Sequence, residues 1–310
     1  MKTTTRHSGF GALLRGLSYA LQWRMLCWWT IALCLPTLLL AAPVWMGLQA
    51  RFDHTMHAGA IATGEDLPLL VEGVMGAAEF ATGGLKVNAI AAAAVALLLS
   101  PWLTGMLVAS IRSQRRLRMG ELLQGGFSEY GRMFRMLLWS IFPLALAIGL
   151  GLLTLKAGKK HTEMAILASE VEHARYVGWA VLGLLFLLAH MTLEAGRGWL
   201  GADRNLRSVM RAWWRGTKLV FRRPLASLTV YLGATLAGLI LVALVGLWRI
   251  NVSGATIGGF AGGLLLTQLA IVILSWSRIA RLHGYAVLAT DSIAAKSFAT
   301  DERASEASIA

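Results

Sequence analysis

The chain has 310 residues, an apolar fraction of 56%, a mean hydropathy of +0.61 and a formal charge of +13. So much apolar material does not suit a soluble domain, and it collects into runs of about 20 residues, the length that crosses a hydrocarbon core. None of the runs alternates apolar with polar residues, which excludes an outer-membrane barrel.

In chain order, a basic amphipathic arm at 8–24, with Leu13-Leu14-Arg15-Gly16, leads into the first apolar run at 26–49. Cys27 and Cys34 lie seven apart on one face of that run, where they cannot pair with each other. The run is too long for a signal peptide cut after Ala41-Ala42, and Pro43 would follow the cut. The connection 51–86 carries five carboxylates, and Asp66-Leu67-Pro68 opens a short helix with Leu70, Val71, Val74 and Met75 at helical spacing.

The second run is 87–111. A second arm, 119–135 with Leu122-Leu123-Gln124-Gly125, precedes the third run at 136–155, and the fourth is 176–194. His54 and His57, and separately His161, Glu163, Glu170 and His173, lie on the connections without the converging spacing of a metal centre, so no cofactor is expected. A third arm, 205–223, leads through Pro224 into the fifth run at 225–248, and the sixth is 255–277. Residues 286–310 are rich in Ala, Ser, Asp and Glu and read as a disordered tail behind a single membrane domain, 1–285.

Lipid offers no hydrogen-bond partner, so each run closes its own backbone bonds as a helix; the fold class is an all-α integral membrane protein with six transmembrane helices. Of the 29 Lys and Arg residues, 22 fall in the two terminal segments and the second and fourth connections. Positive charge is retained on the cytoplasmic side, which places both termini there and points to a bacterial inner membrane.

The arms precede only the first, third and fifth runs, giving three pseudo-repeats of one arm and two spans. In the third arm, at about 100° per residue, Arg207, Arg211, Arg215, Lys218 and Arg222 share a stripe, with Leu206, Met210, Trp213, Val220 and Phe221 opposite. Such a helix lies in the membrane interface with its cations on anionic headgroups, which makes membrane lipids the expected partner. Docking on a protein partner in the membrane is the other use of this pattern; nucleic acid is not expected.

Polar groups inside the bilayer mark the places to seek a solute path. Thr104, His190, Glu194 and Gln268 are the candidates, with His190 and Glu194 four apart on one helix face. Phosphate loops, HExxH, nucleophile elbows and CxxC pairs are missing, so the chain reads as non-enzymatic.

Mitochondrial carriers share three units of two spans, but their Pro-x-[Asp/Glu]-x-x-[Lys/Arg] signature is missing here. The layout, with Trp213-Trp214 and Phe221-Arg222-Arg223-Pro224 turning an aromatic, basic arm into a span, resembles six-helix bacterial membrane proteins of the glycerophosphodiester phosphodiesterase membrane-domain type. That resemblance implies a non-catalytic module, since the hydrolase domain of those enzymes has no counterpart in these residues. A lipid- or partner-binding envelope module is the expected function; a permease subunit for a small or lipid-like solute is the alternative.

Overall fold

The computed structural model describes residues 8–52, 82–113, 115–161, 168–252 and 257–309, together with Pro68 and Val71. The helix expected after Asp66, apart from those two helical positions, and the residues His54, His57 and Glu163 lie outside the described residues. Eight α-helices and no strand occur among the described residues: α1 (Gly9–Tyr19), α2 (Trp23–Phe52), α3 (Thr82–Ser113), α4 (Met119–His161), α5 (Ala168–Ala202), α6 (Val209–Arg222), α7 (Pro224–Ile250) and α8 (Ile257–Ile309).

Six of them, α2 to α5, α7 and α8, are long and apolar enough to cross a membrane. Protein buries between 22% and 39% of the most apolar window of each. Large apolar side chains such as Ile141, Leu153, Leu236 and Leu265 stand exposed on them, an arrangement that water would penalise and lipid accepts. This is the architecture of a multi-pass membrane protein.

Helix ends follow local chemistry. Ser8 caps α1, its hydroxyl accepting from the Gly11 amide at 3.1 Å. At the start of α4 the Glu121 carboxylate reaches back to accept from the Arg118 amide at 2.7 Å, half of a capping box. Pro224 begins α7, where its missing N–H costs nothing. Pro36 and Pro101 sit inside helices, and nearby hydroxyls reinforce the backbone: Thr37 donates to the carbonyls of Leu33 and Cys34, and Thr104 to that of Ser100.

Two boundaries differ from the sequence reading. Residues 119–135 and 136–155 belong to one uninterrupted 43-residue helix, Met119–His161, because no proline or turn separates them as Pro224 separates α6 from α7. At 1.5 Å per residue α4 is about 65 Å long, roughly twice the hydrocarbon thickness. Past residue 285, α8 continues to Ile309, and Ala286, Leu288 and Ala289 are buried. Helical spacing of apolar residues persists past 285, and the Ala, Lys and Glu beyond are strong helix formers.

Packing divides the chain into two units. The first comprises Met1–Tyr19, Gly105–Ala234 and Ile279–Ala310. Its core gathers Met136, Leu193 and Val209 with Trp139, Leu144 and Trp213, the two indoles meeting edge to face. Here α4, α5 and α6 pack together. The second unit comprises Ala20–Thr104 and Thr235–Arg278. In it Met25 and Trp29 are buried, Trp28 meets Trp102 edge to face, and the Arg278 guanidinium sits over the Trp29 ring while donating to Ser100. Cys27 and Cys34 are both free thiols.

Candidate functional site

The C-terminal half of α5 is the most enclosed stretch of the first unit: every residue from Met191 to Leu200 except Arg197 is buried. Glu194 lies in it with 1% of its surface exposed. A carboxylate so enclosed is tolerable only when paired. Arg197, one turn on, donates to one oxygen at 2.5 Å, and Arg281 of α8 approaches the other at 3.6 Å.

The network extends from Arg281. Its guanidinium stands 5.0 Å from the centroid of the Tyr231 ring, and the Tyr231 hydroxyl lies 2.9 Å from His190 Nδ1. His190 also stacks on Phe186, four residues back on α5. Beside them the fully buried Tyr285 of α8 donates its hydroxyl to the Ser227 carbonyl of α7 at 3.1 Å. Helices α5, α7 and α8 are thus tied by polar contacts made inside a packed core.

Two guanidiniums flank the Glu194 carboxylate, Arg197 hydrogen-bonded to one oxygen and Arg281 within ion-pair distance of the other. His190 and Glu194 share a helix face, as the spacing predicts, but each turns to its own partner: His190 to Tyr231, Glu194 to the arginines.

A second clamp has the same form. Glu129 of α4 accepts from Arg112 of α3 at 3.0 Å and pairs with Arg132 at 2.8 Å. Arg112 also donates to the Leu200 carbonyl through both Nε and Nη2, closing the C-terminus of α5. A third pair, Arg223 with Asp291, stands at 3.7 Å.

The chain matches no family model, no curated protein and no solved structure.

The four candidate path residues divide between the units. His190 and Glu194 belong to the first, Thr104 and Gln268 to the second. Thr104 is buried with its hydroxyl on its own helix, whereas Gln268 accepts from the Cys34 thiol at 3.4 Å and lines a pocket of about 350 Å³ with Thr37, Arg249 and Thr267.

On α6 the face packed against protein is made of small and aliphatic residues. Val209, Ala212, Gly216, Leu219 and Val220 are covered, and Gly216 lies so close to Ala195 and Gly196 of α5 that a Cβ would collide with backbone. Of the apolar residues opposite the cationic stripe, Leu206 and Val220 are buried and Trp213 is half-buried, while Met210 and Phe221 stand 58% and 69% exposed, with Trp214 at 54%. Arg207, Arg211, Lys218 and Arg222 are exposed; Lys218 caps the Trp214 ring. Arg215 is instead tied to Asp203 at 2.8 Å and lies over Trp199.

Arg281, Tyr231 and Tyr285 escaped the sequence reading. The signal was present after the sixth run, where Ile279, Leu282, Tyr285, Ala286 and Ala289 keep helical spacing around the charges and mark a buried helix.

Proposed function

We propose that the chain is a non-enzymatic, multi-pass protein of a bacterial inner membrane, with both termini cytoplasmic, that acts as a lipid-engaging module of the envelope. The observation that carries this is the three-sided surface of α6. One side is sealed against α5 by small residues; a second presents Met210, Trp214 and Phe221; a third presents Arg207, Arg211, Lys218 and Arg222. Apolar side chains and cations on adjacent exposed strips suit the boundary between acyl chains and anionic headgroups.

In this reading the arms 8–24, 119–135 and 205–223 are three interfacial elbows of one pseudo-repeat, the second fused to its span. The resemblance to the membrane-domain type named above supports a role without catalysis.

The test is depth. Spin labels placed at positions 210 and 221 of a cysteine-free variant, reconstituted in bilayers containing phosphatidylglycerol, should be more accessible to oxygen than to a water-soluble nickel chelate. Labels that report bulk water at both positions would refute the proposal. A permease for a small or lipid-like solute is the second reading, favoured by the pocket that Gln268 and Cys34 share. Solute uptake into proteoliposomes that is lost in Gln268→Leu would establish it over the first.

A further inference from the structure

Outside the clamps, the first unit holds an open cavity of about 380 Å³, within the size range of small-ligand sites. Arg15 of α1 and Arg115 and Arg116, which follow α3, line it together with Tyr19, Ser110 and His283. The Tyr19 and His283 rings stack at 3.9 Å with planes 15° apart, and the Tyr19 and Ser110 hydroxyls lie 2.6 Å from each other.

The charges in this wall are not alike. Arg115 is forked onto both oxygens of Glu121, at 3.0 and 2.8 Å, and Asp291, the one carboxylate in the lining, faces Arg223. Arg15 and Arg116 make no ion pair among the described residues. The cavity therefore keeps an excess of positive charge carried by two guanidiniums. Its polar wall is also incomplete, because His283 Nδ1 is buried with no hydrogen-bond partner among the described residues. Burial raises the Tyr19 phenol above its ordinary range, against its bond to Ser110 and the charge of Arg116, so the group is a neutral donor.

Guanidinium forks beside hydroxyl donors match the several oxygens of a phosphoryl group, where a carboxylate or halide would leave donors unused. We infer that this cavity binds a phosphoryl group, carried by an anionic lipid headgroup or by a small phosphorylated solute. The site lies on α1, α3 and α8, so it stands or falls independently of the surface of α6.

Calorimetry on the full chain in phosphatidylcholine nanodiscs, titrated with inorganic phosphate and with glycerol 3-phosphate, tests the soluble source. Native mass spectrometry after reconstitution with phosphatidylglycerol tests the lipid source by one-to-one retention. Either result supports the site and names its ligand. The double variant R15Q/R116Q should weaken the observed binding by about tenfold or more, the scale of losing one or two charge-assisted hydrogen bonds. K156Q/K160Q, exposed at the C-terminal end of α4 and outside both the cavity and the arms, should leave it unchanged. Circular dichroism checks the fold of the double variant, and R116Q alone serves if that variant is unstable. No binding of any probe, full binding by the arginine variants, or equal loss in K156Q/K160Q would overturn the inference.

Discussion

Glu194 shows how a single side chain can tie two elements, α5 and α8. Its carboxylate is buried between Arg197 and Arg281, so replacing it removes a negative charge that two guanidiniums face in the core. Glu194→Gln should destabilise the folded protein by about 3–5 kcal/mol. Thermal or denaturant unfolding in micelles measures this, and Glu194→Gln combined with Arg281→Met should recover part of the loss. Arg115→Gln removes an exposed pair and should cost much less in the same assay, because solvent screens it. Equal effects of Glu194→Gln and Arg115→Gln would contradict the clamp. Tyr231→Phe, which deletes one hydrogen bond to His190, falls between, at about 1 kcal/mol. The sequence showed that His190, Glu194 and Arg197 share a helix neighbourhood, because spacing within a helix is readable. It could not show Arg281, which lies 87 positions from Glu194 along the chain and meets it only through packing.

At the scale of elements, α6 illustrates the difference between a pattern and a contact. Its cationic stripe was legible from the period of about 3.6 residues. Its buried face was not, since Gly216 and Ala212 carry little hydrophobic signal and become important only because Ala195 and Gly196 come within backbone distance. Gly216→Leu should force α6 away from α5. Limited proteolysis in the stretch 203–208 reads the outcome, with cleavage at least several-fold faster than in the unsubstituted protein; an unchanged rate would show that the close approach is dispensable. The second arm teaches the converse. Charge and apolar pattern alone divide 119–135 from 136–155, but without a helix breaker the backbone continues through, and α4 is a single element. Likewise α8 runs beyond the point where polarity rises, because its inner face at Tyr285, Ala286, Leu288 and Ala289 is still covered.

For the whole molecule, the distribution of Lys and Arg carries a prediction about topology. Reporter fusions at either terminus should report a cytoplasmic location, and one inserted in 51–86 the opposite side; a periplasmic signal from a terminal fusion would reverse the proposed orientation. The structure also sorts those charges by task. Arg112, Arg132, Arg197, Arg223 and Arg281 belong to carboxylate pairs, whereas Arg15, Arg116, Arg207, Arg211 and Arg222 are among the exposed cations. By itself the sequence determined the all-helical class and the six apolar segments, because a bilayer demands length, apolarity and backbone closure within each segment, all of which are local properties. Only the tertiary structure decided which charges are internal and which are presented, because pairing a carboxylate with a guanidinium depends on distances between helices far apart in the chain.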